Sequence, residues 1–384
     1  MMRRKQMVAV FTALSIGVMT LTGCGTSSDT VKIGATFDLS GLAAQYGIAA
    51  SNGIKLAIEE YNAEGGVLDK QIELKLVDNK ANQVDAANAA KKLIESDKVA
   101  AILGSDISST SLTIAEIAEE KNIPMITPTG TAYDITQTGD SVFRACYIDP
   151  DQGNMIAKFA TEELQVKKAA LMINSESDYS LGVAEAFKKT FEQSGGEVVE
   201  TVTYGGSDVD FRPILANIKN TEADIVVIPD YYEMVANIAP QAREIGITAT
   251  FLGGDGWDGV LNNVANNPES VEGSYFINHY ALEDESTLVQ DFISNYQETY
   301  DETPNAFAAL GYDATRVLIE AIDTAGSTDA VAITEALAAT NLECVTGKIT
   351  FDAFRNPIKP VSIIQIKDGA NVLHKKIDIE RVYE

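Results

Sequence analysis

Residues 99–131 constrain the fold of this chain more than any other stretch, because strand, helix and strand follow one another within it. Residues 99–103 are an apolar run ending at Gly104, which is typical of a strand buried on both faces of a parallel sheet. The helix that follows is predicted from apolar residues at spacings of three and four: Ile114, Ile117 and Ala118. With a second short strand at Met125–Thr127, the stretch predicts a right-handed βαβ unit.

Each of these two strands is followed by a loop rich in hydroxyl side chains. The loops contain Ser108, Thr129 and Thr131, and they lie at the carboxyl ends of strands, where open α/β sheets bind ligands. Neither loop contains Lys or Arg, so the pattern favours a small carboxylate over a phosphate at the free N–H groups of the helix start. The alternative is helix capping without a ligand, which we expect for the neighbouring Ser109 and Thr110.

The same alternation of strands and helices runs through most of the chain and restarts near residue 150. Predicted strands cover 31–36, 71–78, 99–103, 125–127, 169–173, 198–203, 224–229, 250–252, 275–277 and 361–367. Predicted helices cover 51–62, 85–97, 152–163, 181–194, 212–219, 233–245, 288–296, 306–325 and 330–339. Pro240 predicts a kink or break in the helix that contains it. The two halves predict an α/β fold of two similar doubly wound lobes, each built on a parallel sheet.

The first 23 residues have the features of a targeting segment. Arg3, Arg4 and Lys5 precede an apolar stretch that is too short to span a bilayer comfortably. The segment ends in Leu-Thr-Gly followed by Cys24, which resembles the bacterial lipobox, so we expect a lipoprotein signal peptide at 1–23 and lipidation of Cys24. Residues 24–30 then predict a short flexible tether. An ordinary signal peptide with an incidental cysteine is the alternative.

The charge of the chain limits its partners. The formal net charge is −27, and the cationic leader makes the mature chain more negative still. Nucleic acid and anionic lipid headgroups would repel such a surface, so we expect neither as a partner, apart from a membrane reached through the lipid anchor. Beyond Cys24 the sequence contains Cys146 and Cys344, whose spacing excludes a CxxC redox site and a four-cysteine zinc site.

Motifs of catalysis are scarce, and we expect no enzyme activity, no metal and no cofactor. His279 and His374 lie outside any recognisable motif and are expected to be ordinary surface or core histidines. Residues 254–259 match GxGxxG after a strand, but asparagines and Pro268 follow where a dinucleotide site needs a long helix. A better interpretation is a tight turn that presents Asp255 as a fixed anion, which can bind an ammonium group.

Aromatic residues follow several of the predicted strands at equivalent places. One such residue is usually there for packing, but five together favour a lined pocket between the lobes. They are Tyr46, Tyr179, Tyr231, Tyr232 and Trp257. Hydroxyl groups on one lobe, an acid on the other and aromatic walls describe a site for a zwitterion such as an amino acid.

These features resemble the leucine/isoleucine/valine-binding proteins, which have the type I periplasmic binding fold and serve ABC importers. The resemblance covers essentially the whole mature chain. Its specific segments are 40–47, 62–66 (NAEGG), 102–110, 126–131, 178–179, 210–212 and 253–256.

The resemblance assigns roles to the predicted site residues. It implies that Ser108 and Thr131 hold the ligand carboxylate, with backbone contacts near Thr129. Asp255 stands where the family has an acid for the ligand ammonium, usually Glu, and the shorter side chain leaves room for a different ligand pose or a water. Tyr46 matches a position that contacts the ligand side chain. Tyr179 and either Tyr231 or Tyr232 match pocket and lid positions. Trp257 is not part of the family pattern.

The resemblance also implies three hinge crossings, near residues 148, 278 and 353. They would divide the chain into a first lobe of 31–148 and 279–353 and a second lobe of 149–278 and 354–384. Cys146 and Cys344 would then lie close to crossings, and we hypothesise that they are neighbours that form a disulfide, with two buried free thiols as the alternative.

The function expected from the sequence is capture of an amino acid, aliphatic by preference, for an ABC permease. The protein would be a monomeric, lipid-anchored extracytoplasmic receptor whose two lobes close on the ligand. The second hypothesis is a sensor of the same fold that detects amides, aromatic acids or amino acids for signalling. An enzyme is the third.

Overall fold

The computed structural model describes residues 30–378, which form two α/β lobes around two large sheets, with β11 and β12 as a separate two-stranded sheet. The strands are β1 (Val31–Phe37), β2 (Ile72–Asp78), β3 (Ala101–Gly104), β4 (Met125–Thr127), β5 (Val142–Arg144), β6 (Lys168–Asn174), β7 (Glu197–Tyr204), β8 (Ile225–Val227), β9 (Thr250–Gly253), β10 (Tyr275–Asn278), β11 (Asn341–Cys344), β12 (Gly347–Thr350), β13 (Val361–Lys367) and β14 (Ala370–Ile377).

The helices cover the faces of these sheets. They are α1 (Ala44–Ala63), α2 (Gln83–Lys91), α3 (Ser108–Glu120), α4 (Asp149–Lys158), α5 (Asp178–Gln193), α6 (Arg212–Lys219), α7 (Tyr232–Glu244), α8 (Val260–Asn263), α9 (Thr287–Tyr300), α10 (Ala306–Ala325) and α11 (Ala330–Ala338). Short 3-10 or π-helical turns extend the chain at Lys92–Asp97, Tyr133–Gln137, Phe159–Glu163, Asp255–Trp257 and Pro268–Ser270. Within residues 30–378, no helix is both long and apolar enough to cross a bilayer.

The first sheet has five parallel strands in the order β2-β1-β3-β4-β5. Its register pairs Thr36 with Gly104, so the loops after β1 and β3 begin side by side. All four residues of β3 are buried, as expected for a strand covered on both faces. Residues of β1 and β3 share one hydrophobic core with α10 and α11, although these helices lie about 200 to 300 residues later in the chain.

The second sheet has seven strands in the order β14-β13-β10-β9-β8-β6-β7. The strands from β10 to β7 are parallel, whereas β13 pairs antiparallel with β10 and β14 pairs antiparallel with β13. The predicted α/β fold of two sheet-based lobes is therefore present. The second sheet is mixed, with an antiparallel pair of strands at one edge.

The chain passes between the two sheets three times. It leaves β5 for α4 through 145–148, leaves β10 for α9 through 279–286, and leaves β12 for β13 through 351–360. Side chains from these segments are buried together, including Tyr147, His279 and Lys359. A displacement of one lobe relative to the other must therefore bend these three segments.

Several elements differ from the predictions for physical reasons. Helix α1 begins seven residues earlier than predicted, because its first turns consist largely of alanine and glycine and carry little hydrophobic pattern. The strands β5, β11, β12 and β14 were not predicted. β5, β11 and β12 are only three or four residues long, and β14 lies at an edge with five exposed residues. Helix α7 continues through Pro240, since buried residues on both sides of it, among them Val235 and Ala242, hold the helix against the sheet.

Both cysteines of the described region are buried and free, so the hypothesised disulfide is not formed. Cys146 and Cys344 belong to the same hydrophobic core, where a thiol packs as a small apolar group. Burial raises the pKa of Cys146 to about 12, so this thiol stays protonated. Cys24 lies outside the described residues.

Candidate functional site

The candidate site lies between the lobes, where loops at the carboxyl ends of strands from both sheets face each other. The first lobe contributes the loops after β1, β3 and β4, and the second lobe contributes those after β6, β8 and β9. The carboxyl ends of parallel strands form the ligand side of such a sheet. The structure thus brings residues that are up to 210 positions apart in sequence into direct contact.

The hydroxyl-rich half of the site is formed by the start of α3 and the loop after β4. Ser108 is the first residue of α3, and its hydroxyl oxygen accepts the backbone N–H of Ala132 at 3.2 Å. Thr129 is buried and donates its hydroxyl to the carbonyls of Ser105 and Asp106. Within residues 30–378 no side chain caps α3, so the capping alternative is not realised, and backbone N–H groups of the first helical turn can serve an anion.

Arg144, at the end of β5, fixes the loop that contains Thr129 and Thr131. The side chain is fully buried, and its guanidinium donates to the carbonyls of Gly130 and Ala132 at 2.8 Å each. This buried cation also gives the hydroxyl-rich half a positive field. Nothing in the local sequence indicated the role of Arg144, because its partners lie 12 and 14 residues earlier.

The acidic half of the site is the turn after β9. Asp255 is 4% exposed, and its backbone N–H donates to the Oε1 atom of Gln152 on α4 at 2.9 Å. Gly254 permits this approach, since a Cβ atom there would lie 2.3 Å from the hydroxyl oxygen of Tyr179 and 2.5 Å from the Oε1 atom of Gln152. Gly254 therefore allows the turn to pack closely against its neighbours. The GxGxxG match has no dinucleotide geometry, because α8 has only four residues.

His279 is a residue of the site that sequence reasoning missed. Its Nε2 atom lies 2.9 Å from the Oδ2 atom of Asp255, and its ring stacks on Tyr147 with centroids 3.8 Å apart. Burial lowers the pKa of His279 to about 4, so the imidazole is neutral at neutral pH. The one sequence signal was its position directly after a strand, at the carboxyl end of β10.

Tyrosine side chains join the two lobes across the site. The hydroxyl of Tyr46 on α1 donates to the carbonyl of Gly256 and accepts the backbone N–H of Tyr232 at 3.0 Å. The hydroxyl of Tyr232 in turn donates to the carbonyl of Leu42 at 3.0 Å. The Oδ2 atom of Asp258 accepts the N–H of Ala306 at the start of α10 at 2.8 Å. The structure is therefore a closed form, with the lobes in contact.

The other predicted aromatic residues have two different environments. Tyr179 and Tyr231 stack with centroids 5.2 Å apart, and the Tyr179 hydroxyl accepts the N–H of Gly256 at 3.2 Å. Burial raises the pKa of Tyr231, and the backbone N–H of Ser108 opposes part of that rise. Trp257 is fully buried, and its indole donates to the carbonyl of Ile228 at 2.8 Å. Packing within the second lobe accounts for that placement without a ligand.

Asp149, the first residue of α4, is a second buried acid near the site. It is 1% exposed, and within residues 30–378 neither carboxyl oxygen accepts a hydrogen bond of normal geometry. Burial raises the pKa of Asp149 well above its usual value, and the Thr131 side chain opposes part of that rise. The nearby charge of Asp255 raises it further. We therefore expect Asp149 to resist ionisation in the folded protein.

A cavity of about 660 Å³ lies elsewhere along the junction of the lobes. It is bordered by α1, α8, the segment after β10 and the start of α10, and its lining includes Gln45, Leu261, Tyr280 and Pro304. None of the predicted ligand residues lines this cavity. The four predicted tyrosines lie instead around Gly256: Tyr46, Tyr179, Tyr231 and Tyr232.

The family model described as "Periplasmic binding protein" matches residues 30–371. The Leu/Ile/Val-binding protein BraC3 of Rhizobium johnstonii is 30% identical over 330 residues, which cover 84% of this chain and 87% of that protein.

Two crystal structures have the same architecture. The leucine-binding protein LivK of Thermotoga maritima is 36% identical with a TM-score of 0.86, and the match covers 91% of this chain and 99% of that one. The branched-chain amino acid transporter substrate-binding protein LivJ of Streptococcus pneumoniae, in complex with isoleucine, is 32% identical with a TM-score of 0.85 and has the same coverage.

Replacing Asp149 with Asn tests the account of this buried acid. A raised pKa in the folded state means that the free energy of unfolding falls as pH rises from about 4, where the unfolded side chain ionises, toward the folded pKa. Asp149→Asn removes this loss, so the ligand-free variant is expected to be more stable than wild type at pH 7.5 by at least about 1 kcal/mol. The advantage should shrink toward pH 4.

Urea unfolding at several pH values measures this difference. Glu162→Gln removes an exposed acid from the turn that continues α4, and this control should leave the pH dependence unchanged. If Asp149→Asn and wild type show the same pH dependence of stability, the buried carboxyl does not have the predicted properties.

Proposed function

The chain belongs to the branched-chain amino acid-binding family of type I periplasmic binding proteins, and we propose that it captures a branched-chain amino acid for an ABC importer. Proteins of this family bind solutes for transport and are not enzymes. They are extracytoplasmic proteins and work with ABC permease components.

The proposal rests on one observation. The two halves of the site lie on different lobes, face each other in the closed form, and differ in chemistry. On the first lobe, uncapped N–H groups at the start of α3 and the hydroxyls of Ser108 and Thr131 suit a carboxylate. On the second lobe, Asp255 is a fixed anion that suits an ammonium group. A free α-amino acid carries both groups, so it can complete both halves at once.

Closure of the two lobes would follow, because the groups that bind the ligand are divided between them. A ligand that contacts both lobes binds the closed form more strongly than the open form, and it shifts the population by that difference in affinity. The hydrogen bonds that Tyr46 and Tyr232 make between the lobes would stabilise the closed form further. The closed form would be the one that the permease recognises.

The ligand side chain would meet aromatic rings rather than charges. Tyr46, Tyr179 and Tyr231 surround the junction, with Tyr46 edge-on to Tyr231 at 5.8 Å between centroids. Ring faces of this kind pack well against aliphatic groups, and they offer a charged side chain neither a conventional hydrogen bond nor a counter-ion. This supports leucine, isoleucine or valine over a basic or acidic amino acid.

A second candidate function is sensing of an aromatic acid by the same lobes. The stacked pair Tyr179 and Tyr231 favours it, because such rings can also pack against a flat acid. An aromatic acid without an ammonium group would leave the buried Asp255 carboxylate without a cationic partner, which costs binding energy. The amino acid is therefore the better candidate.

Thermal unfolding with a panel of ligands tests the proposal. L-leucine, L-isoleucine or L-valine at concentrations well above Kd should raise Tm by about 5 °C or more, because ligand binds only the folded state. Benzoate and L-lysine should give smaller shifts. The absence of stabilisation by any of the twenty amino acids would refute the proposed function, and a larger shift with benzoate would favour the second candidate.

We further propose that residues 31–148 with 279–353, and 149–278 with 354–384, move as the two lobes during closure. The protein would act as a monomer, since one chain supplies both halves of the site. Cleavage after Gly23 would leave Cys24 as a lipidated N-terminus, and residues 24–30 would tether the lobes to the outer face of the bacterial cell membrane.

Substitution of Cys24 tests the lipid anchor. In cells grown with radiolabelled palmitate, the wild-type chain is expected to be labelled and to sediment with membranes, because the acyl chains insert into the bilayer. Cys24→Ala should be unlabelled and soluble, whereas Cys344→Ala should behave as wild type. Equal labelling of wild type and Cys24→Ala would contradict the proposed anchor.

A further inference from the structure

His279 makes the one hydrogen bond that the described residues give to the carboxylate of Asp255. The Nε2 atom contacts Oδ2 at 2.9 Å, and the side chain of His279 is fully buried. No residue in 30–378 donates to Oδ1 of Asp255. One carboxylate oxygen is thus held by the protein, and the other is left for a different partner.

The chemistry of the pair fixes which atom carries the proton. A carboxylate only accepts hydrogen bonds, so the ring nitrogen that faces Asp255 must be the N–H of the neutral imidazole. The other nitrogen, Nδ1, is then an acceptor, and it has no donor within the described residues. Because the ring is neutral at neutral pH, it orients the Asp255 carboxylate without cancelling its charge.

The imidazole is itself held in place by the segments that cross between the lobes. Its ring stacks on Tyr147 in the first crossing at an interplanar angle of 15°. The backbone N–H of His279 donates to its neighbour Asn278, whose side chain donates to Asp258 at 3.2 Å. The buried amine of Lys359, from the third crossing, donates to Thr346 at 2.8 Å and affects the pKa of His279 electrostatically.

We propose that His279 is a positioning residue for ligand binding: its Nε2–H holds Oδ2 of Asp255 and so directs Oδ1 at the ammonium group of the bound amino acid. This inference rests on the proposed function, because it takes Asp255 as the ammonium site. It also links ligand recognition to the crossings, since His279 and Tyr147 pack together there.

Two substitutions separate the hydrogen bond from the packing. His279→Phe keeps a flat ring that can stack on Tyr147 but removes the donor. His279→Gln restores an N–H donor that can reach Asp255 with its side-chain amide. His374→Phe is the matched control, because His374 is the other histidine of the chain and contacts Phe159 and Tyr275 in the second lobe.

Calorimetric titration with two probes gives the readout. L-leucine carries the ammonium group, and 4-methyl-2-oxopentanoate has the same side chain and carboxylate without it. His279→Phe is expected to weaken L-leucine binding by about 10- to 100-fold, the range expected for a hydrogen bond to a charged group. The oxo acid should be affected less than about threefold. His279→Gln should recover most of the L-leucine affinity, and His374→Phe should match wild type.

The possible outcomes distinguish this inference from the proposed function. If wild type binds neither L-leucine nor any other amino acid, the proposed function fails and the inference fails with it. If wild type binds L-leucine but His279→Phe weakens both probes equally, or His279→Gln gives no recovery, the histidine has only a structural role and the inference alone is wrong. Chemical unfolding of each ligand-free variant identifies any loss that comes from misfolding.

Discussion

The carboxylate of Asp255, buried between the lobes, is the constraint on which the rest of the site depends. An isolated buried carboxylate is costly, and within residues 30–378 this one has a hydrogen bond from a neutral imidazole and no buried cation in contact with it. The side chain of Gln152 fixes the turn after β9 by accepting the backbone N–H of Asp255, and Gly254 leaves room for that contact. In the proposed function, the ammonium group of a bound amino acid would be the cationic partner of this carboxylate.

The half of the site on the first lobe provides hydrogen-bond donors instead of an acid. A ligand carboxylate needs donors, and the start of α3 offers backbone N–H groups that no side chain caps. The buried guanidinium of Arg144 fixes the loop beside them through carbonyl contacts. Because the donors and the acid belong to different lobes, neither lobe alone can bind both ends of a zwitterion. Closure, with Tyr46 contacting Gly256 and Tyr232, is the geometry that brings them together.

Much of the fold could be predicted from the sequence, because buried parallel strands and amphipathic helices have strong periodic patterns. The helices α6 and α10 and the strands β4 and β13 have the bounds that the pattern predicted. The polar edge strand β14 and the short hairpin of β11 and β12 could not be found in this way, since neither has an apolar run. The disulfide hypothesis was wrong, because proximity to crossings does not determine whether two sulfur atoms bond.

The residues of the candidate site also divide into those that the sequence indicated and those that it did not. Asp255 and the hydroxyl-rich loops were indicated by their place after strands and by the family resemblance. Arg144, Asp149 and His279 were missed as parts of the site, because their roles depend on burial and on partners distant in sequence. The role of Trp257 in binding stays a prediction, and its indole is buried and bonded to the carbonyl of Ile228 in its own lobe.

The most direct test of the account is the affinity of Asp255→Asn for L-leucine. This variant keeps the shape of the side chain and removes its charge, so calorimetric titration at neutral pH should show affinity reduced by about 100-fold, as expected for loss of a charge-assisted hydrogen bond. Asp291→Asn, which removes an exposed acid on α9, should bind as wild type does. Wild-type affinity in Asp255→Asn would contradict the account, because the ammonium group would then be held elsewhere.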